Sequence, residues 1–488
     1  MALIASRTSR TSRSARRRQQ QPTMRRGGLL RRYRWTEFGL LILPGLVLLT
    51  ASSQLWLAVN LDPNTTLNMH SLPLANGMLP MLEFMAAVFV VHIVLTIFFR
   101  KADQILLPLV SLLTGLGIIM MTRLGPDILP PDGPIPNLGS RQLQWAIVAL
   151  GVCLATMFVL RNVEWLSRYK YTWMLFCFAV LIPAIINGIK TLHGGDPTRD
   201  ILDVGFLKIQ PSEFLKIGVA IFFAAYLNDN LDMIARGYYR LGFLRLPPLR
   251  QLGPLIFILA LSLASFLIIR ELGLALLIYG LFLCMTYLAT NKFSYVFVSL
   301  LAFVVLAYVG YLILPYVRAR FTAITFNPLV GTNTVAYNNY VENTGSQVFQ
   351  GLINLASGGV IGSGLGLGAP WLTSVIESDM VLTAYGEELG LAGLFAIIGI
   401  YLLIIYRGFR IAAQANDTFS KLLAAGLTCV FAIQTLIISA GNLKIMPLTG
   451  IPLPFLSNGV NALVANFIIV GILLRISHNT AVENEGLY

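Results

Sequence analysis

Charge is scarce in this chain: Asp, Glu, Lys and Arg make up 12% of 488 residues, against 56% for hydrophobic types. That leaves uncharged apolar runs of about 20 residues, the length that crosses a bilayer core, and argues against a soluble domain. Cysteine is nearly as rare. The four present (Cys153, Cys177, Cys284, Cys429) lie far apart inside apolar runs, which speaks against a disulfide framework or a thiolate metal site. His70, His92, His193 and His478 form no ligand-spaced cluster, and no metal motif is present. No Ser/His/Asp constellation supports hydrolase chemistry, and no period of 20–50 residues marks a repeat array. Acid is missing from residues 1–35, which hold eleven arginines. A basic tail just ahead of a first span sets orientation and touches anionic lipid more simply than it binds nucleic acid. Its charged region is too long for a secretory signal.

What is there is a series of twelve apolar spans, near 36–58, 78–99, 105–122, 142–160, 171–187, 210–227, 252–269, 271–290, 294–314, 382–406, 420–440 and 459–475. Spans three to six are short for a bilayer, so tilt or partial burial is expected. With the N-terminal tail in the cytoplasm, 25 of the 35 basic residues fall on the cytoplasmic side, nine on the other, and Lys216 sits within a span. This positive-inside bias places both termini in the cytoplasm. The expected fold class is therefore an all-α polytopic membrane protein of about twelve transmembrane helices. One large extracytoplasmic loop, 315–381, joins spans nine and ten.

That loop belongs to the one long polar excursion, Leu314–Leu389. It opens with Arg318 and Arg320 and crosses an Asn/Thr/Tyr-rich run. In Ser346–Ser357 the residues Val348, Phe349, Leu352, Ile353 and Ala356 share one helical face, opposite Gln347, Gln350 and Asn354. The pattern suits a short helix lying at the membrane surface. Six glycines follow in Gly358–Gly368. Their spacing resembles part of a dinucleotide fingerprint, but that needs a soluble βαβ unit, so a flexible loop is the default. Asp379 can cap the next helix or line a site. Glu387 and Glu388 lie one to two turns inside a span, where a carboxylate costs a few kcal/mol unless it meets a cavity or a partner.

Other charged positions carry two readings each. In IQPSEFLKIG (Ile209–Gly218), Pro211 suits a helix start. Glu213 and Lys216 are three apart and can pair, as an interior site or as a cap with a snorkelling lysine. Arg270 and Glu271 either solvate a turn or point as an ion pair under the large loop. Pro447, Pro452 and Pro454 break any helix between the last two spans; irregular backbone there lines a wet cavity or is a plain re-entrant connector.

Five segments taken together resemble the SEDS family of bacterial cell-wall proteins, the FtsW/RodA/SpoVE type. They are IQPSEFLKIG, RELGLALL (Arg270–Leu277), GGVIGSGLGLG (Gly358–Gly368), SDMVLTAYGEELGLAG (Ser378–Gly393) and IMPLTGIPLPFLSNG (Ile445–Gly459), in family order. The resemblance covers a core of residues 105–477. It leaves 36–104 as two extra N-terminal spans, 1–35 as a disordered tail and 478–488 as a C-terminal tail.

The resemblance implies a peptidoglycan glycosyltransferase in the bacterial plasma membrane that polymerises lipid II on the outer face, in division or shape maintenance. It implies pairing with a class B penicillin-binding protein. A divalent cation is compatible with it, and no other cofactor is expected. The chemistry needs a carboxylate base and cations for the departing pyrophosphate. Arg318 and Arg320 are candidates for the cations, with Lys444 behind them. Glu213, Lys216, Arg270, Glu271, Asp379, Glu387 and Glu388 would shape the substrate cavity. One departure matters. The family's loop aspartate is missing, for Phe326–Gln347 contains no aspartate at all. Its place falls near Tyr340, and Glu342 is the only acid in reach, hence the candidate base. The usual Tyr-Gly-Gly-Ser ending after PLPF is also altered, to Ser457–Ala462. Two rival readings follow: a non-catalytic lipid II-binding scaffold for a penicillin-binding protein, and a lipid flippase or transporter with acids near the midplane.

Overall fold

The computed structural model describes residues 33–61, 74–127, 135, 137–190, 201–203, 208–236, 239–241, 244–246, 249–327, 337–338, 340–341 and 345–486. The unit Arg34–Tyr488 is an all-α bundle. Its helices are α1 (Trp35–Leu61), α2 (Leu74–Phe98), α3 (Leu106–Leu124), α4 (Leu138–Val159), α5 (Glu164–Arg168), α6 (Lys170–Lys190), α7 (Pro211–Arg236), α8 (Leu249–Ile269), α9 (Leu272–Thr290), α10 (Phe293–Ile313), α11 (Pro315–Thr325), α12 (Ser346–Gly358), α13 (Val381–Gln414), α14 (Thr418–Asn442) and α15 (Val460–Gly486). Two short antiparallel pairs, Leu202–Asp203 with Lys208–Ile209 and Tyr239–Leu241 with Leu244–Leu246, lie between helices. Among the described residues twelve helices are long and apolar enough to cross a membrane, and they match the twelve expected spans.

Hydropathy located the spans but not their ends. The polar turn Asn228–Asp232 stays helical and carries α7 to Arg236, while α15 continues past residue 477 to Gly486. Backbone hydrogen bonding does not stop where lipid stops, so these two helices outlast their apolar runs.

Burial sorts the helices. In the most apolar stretches of α3, α14 and α15 more than seven residues in ten are buried, whereas that of α10 buries none. Small residues let the central helices close up. On α3 a Cβ at Gly117 would lie 2.7 Å from the Phe455 carbonyl, and on α15 one at Gly471 would lie 2.8 Å from that of Cys153. At contacts this tight dispersion, rather than hydrophobicity, drives helix association in lipid.

The α1–α2 pair packs on α3 and α4. Arg34, the last arginine of the basic stretch, is buried. It donates to the carbonyls of Phe99 (3.0 Å), Ala102 (2.8 Å) and Asp103 (2.7 Å) and pairs with Glu37. Glu37 also meets His92 Nδ1 at 2.7 Å. This network satisfies the turn after α2 and fixes the extra helices to the bundle.

Candidate functional site

The proline-rich connector after α14 is mostly buried over 451–457, and side chains satisfy its irregular backbone there. Gln434 Nε2 donates to the Pro452 carbonyl (2.7 Å), Tyr401 to that of Pro454, and Gln142 to that of Ser457 (3.2 Å). The Ser457 hydroxyl accepts from Leu453 N (2.8 Å) and donates to the Ser378 carbonyl, while Asn458 N donates to that of Glu377 (2.8 Å). The altered Ser457-Asn458 ending therefore ties the connector to the segment ahead of α13.

That segment carries Asp379. Of the two readings the sequence leaves open for it, cap or site residue, the cap fails: α13 begins at Val381, its N-cap is Met380, and no side chain caps it. Instead Asp379 Oδ1 accepts from Gln347 Nε2 of α12 (3.4 Å), and its carbonyl accepts from Asn442 Nδ2 (2.7 Å). Burial lifts the Asp379 pKa from 3.8 to about 7; neighbouring Arg320 opposes the rise and Glu377 adds to it. Between about pH 4 and 7 the folded chain thus holds a proton that the unfolded chain has lost. Stability from this group should fall as pH rises through that window and level off above it. Thermal unfolding of wild type against Asp379→Asn between pH 5 and 8 checks this, the variant being expected to show the flatter profile.

Arg320 donates to the Leu448 carbonyl (2.7 Å) and lines an apolar cavity of about 380 Å³ between α8, α9, α10 and residues 446–449, with Leu263, Leu276, Phe303, Leu306 and Ile313 on its walls. Lys444 lies alongside, donating to the Phe326 carbonyl (2.6 Å) over the Tyr340 ring. Its pKa is lowered by burial. Tyr340, near the place of the missing aspartate, is buried and stacked on Phe326 at 4.5 Å. Glu342 lies outside the described residues. Arg318 points elsewhere, over Tyr311 and onto the Leu312 carbonyl (3.0 Å). Arg270, in a left-handed turn (φ 68°), sits over Tyr316, and Glu271 precedes α9.

A second cluster holds the glycine run. Inside α13, Gly390 has φ 66° and ψ −170°, a conformation open to glycine but not to side chains. The kink breaks two helical hydrogen bonds, and the glycine segment takes them over. Ser363 N and Gly364 N donate to the carbonyls of Glu387 (2.9 Å) and Glu388 (3.0 Å); Leu391 N and Ala392 N donate to those of Gly359 (3.0 Å) and Val360 (3.1 Å). The run is thus a strap paired to an opened helix rather than a free loop. Gly390→Ala should cost about 1–3 kcal/mol from backbone strain alone. A Cβ there would also lie 2.3 Å from Gly362 N, so a Tm unchanged from wild type would refute this account.

The carboxylates of the same turn complete the strap. Glu387 Oε1 accepts from Ala369 N (2.7 Å) and Glu388 Oε2 from Gly366 N (3.1 Å). Arg123, which sequence reasoning passed over, reaches this turn from the last turn of α3. Buried to 1% exposure, it donates to Glu388 (3.1 Å), Asp127 (2.8 Å) and the Gly368 carbonyl (2.9 Å), with Trp371 against its guanidinium. An arginine at the end of a span with an aspartate four residues on was the available signal.

Glu213 and Lys216 do pair, at 2.6 Å, and α7 starts at Pro211 as expected. They are wholly buried against Gln434 (3.2 Å) and Asn466 (3.3 Å). On α12 the expected faces differ from those observed. Val348, Gly351, Asn354 and Gly358 are buried and Ile353 is exposed, because Asn354 finds Thr373 Oγ1 (3.0 Å) and the glycines admit α13. Among the described residues no three metal-ligating side chains come together. Arg123 already occupies the space between Asp127 and Glu388. These residues do not fit a divalent cation.

The fold and this cluster define a polytopic membrane protein whose glycine segment is paired onto one kinked helix, α13. Residues 103–482 match the family model described as cell cycle protein, of the FtsW/RodA/SpoVE group, and the chain belongs to that family. It is 35% identical over 394 residues to the peptidoglycan glycosyltransferase RodA of Mycobacterium leprae, covering 80% of each chain. It is 29% identical over 393 residues to the stage V sporulation protein E of Bacillus subtilis, covering 77% of this chain and 96% of that one. Among solved structures, a chain from a peptidoglycan synthase complex matches with a TM-score of 0.59 at 20% identity, over 78% of this chain and 98% of that one. The rod shape determining protein RodA of Thermus thermophilus matches with 0.52 at 20%, over 78% and 97%. These two likenesses show the fold.

Proposed function

We propose that this protein is a peptidoglycan glycosyltransferase that polymerises lipid II at the outer face of the bacterial plasma membrane, with both termini in the cytoplasm. The observation that carries it is the junction at Arg320. One guanidinium lines an apolar cavity beside the barely buried α10 and also sets a positive field at a buried carboxylate. A lipid-linked pyrophosphate needs that combination, a greasy channel ending at a cation. In the reaction the acceptor sugar hydroxyl gives its proton to a carboxylate and its oxygen bonds the donor anomeric carbon. The bond from that carbon to phosphate breaks, and undecaprenyl pyrophosphate leaves with the electron pair. Arg320 and Lys444 flank the departing phosphates; Arg318, turned over Tyr311 and onto the Leu312 carbonyl, is not part of this group. Glu342 is the first candidate base. Asp379 is the second, since a carboxyl that titrates near pH 7 is suited to proton transfer at neutral pH.

Relatives named as peptidoglycan glycosyltransferases and a fold neighbour within a peptidoglycan synthase complex support this reading and its pairing with a class B penicillin-binding protein. The absence of aspartate from Phe326–Gln347 favours one rival, a scaffold that binds lipid II without polymerising it.

The test is polymerisation of labelled lipid II by the purified protein with its penicillin-binding partner. Glycan chains from wild type and Asp379→Asn but not Glu342→Gln place the base at Glu342. Chains lost only in a folded, lipid II-binding Asp379→Asn place it at Asp379. Lipid II bound by wild type without any chains rejects the enzyme in favour of the scaffold.

A further inference from the structure

At the opposite end of the bundle, where the basic residues gather, lies a crevice of about 620 Å³. Its walls are the start of α1, the turn 101–105, the far end of α13 and the end of α15. Thr36 of α1 lies outside residues 103–482, so a helix beyond the family core closes one side. The charges inside are unevenly matched. Asp103 is already spent: Oδ1 accepts from Ile105 N (2.9 Å) and Leu106 N (3.0 Å), and Oδ2 takes one nitrogen of Arg407. Lys101 pairs with Glu485. Arg407 Nε is buried without a partner, and so is Gln104 Oε1. Arg410, three residues from Arg407 on the same helical face, makes no ion pair or hydrogen bond among the described residues.

We propose that this crevice binds a phosphate group carrying a neighbouring hydroxyl, supplied by an anionic phospholipid of the leaflet at this end. Phosphate oxygens would meet Arg410 and, as the Arg407 side chain turns toward the crevice, its unpartnered Nε; a glycerol hydroxyl would donate to Gln104 Oε1 once that amide turns out in the same way. A buried guanidinium N–H left unpaired is costly, and a charge-assisted bond to phosphate removes that cost. The lipid source fits the surroundings. By the positive-inside bias this end is cytoplasmic, at headgroup depth, where anionic lipid is attracted to basic side chains. Next to the crevice α13 exposes Leu402, Leu403 and Tyr406, which offer a surface to acyl chains. The site involves no residue of the proposed reaction and holds whether or not the chain is an enzyme.

Native mass spectrometry of the full-length protein, delipidated and then offered phosphatidylglycerol or phosphatidylcholine, tests it. Wild type should retain phosphatidylglycerol preferentially. Arg410→Gln should weaken that retention by about tenfold, the value of one good charged contact. Arg168→Gln, an exposed arginine at the same end but in another pocket, should leave it unchanged. Equal retention by wild type and Arg410→Gln overturns the site, and so does an equal loss in Arg168→Gln, which would mean general charge attraction. Displacement of the lipid by millimolar inorganic phosphate would keep the phosphate chemistry and overturn the lipid source.

Discussion

Arg123→Met should lower the unfolding free energy by about 3–5 kcal/mol, the range for breaking a buried ion pair from one side. Arg123 is the cation that Glu388 and Asp127 share, and neither carboxylate has water to fall back on: their side chains are 0% and 6% exposed. Methionine fills much of the same volume but leaves two acids facing each other. The Gly368 carbonyl and the Trp371 ring lose their partner as well. The damage should spread along the strap, because Glu388 also holds Gly366 N. Hydrogen exchange should therefore quicken at Ser363, Gly364, Leu391 and Ala392, the amides paired across the Gly390 kink. Arg123→Met with Glu388→Gln should recover part of the loss, since a neutral amide is far cheaper to bury than an unpaired carboxylate. Equal Tm values for wild type and Arg123→Met in detergent would remove the pair from the stability of the fold.

The same cluster shows what the sequence could reveal and what it could not. The twelve spans were legible because hydropathy is local: every stretch long enough to cross lipid declares itself within about 20 residues. The Glu213–Lys216 pair was legible for the same reason, being three residues apart on one helix. Arg123 was not, because its partners Gly368 and Glu388 lie 245 and 265 residues along the chain. On its own it reads as an ordinary snorkelling arginine at a helix end. The glycine run was legible as backbone needing freedom. That its amides pair with a kinked helix depends on Gly390, which looked like one more glycine in an apolar span. On α12 an apolar stripe misled, because Asn354 becomes a buried residue once Thr373 is brought to it. Long-range satisfaction of polar groups, invisible to periodicity, set the details of the site.

Lys216→Met should be at least as damaging, about 3–5 kcal/mol, for a reason its position supplies. Lys216 and Glu213 are both 0% exposed, at the meeting of α7, α14 and α15. The ammonium uses its three donors fully, on Glu213, Gln434 and Asn466, so the bare carboxylate left behind would have no replacement. It is already under-satisfied, since Glu213 Oε1 is buried without an acceptor bond. Gln434 carries the effect outward: its Oε1 accepts from Lys216 while its Nε2 fixes the Pro452 carbonyl of the connector. Loss of the lysine should thus loosen the connector that positions Lys444 and Leu448, the carbonyl partner of Arg320. Two variants separate charge from packing. Glu213→Leu with Lys216→Met removes both charges and should restore much of the stability, because an apolar pair of similar volume is often no worse than a buried ion pair. Glu213→Gln alone keeps an acceptor for the ammonium and should cost less than Lys216→Met. A double variant as unstable as Lys216→Met would assign the loss to packing among α7, α14 and α15 rather than to the stranded carboxylate.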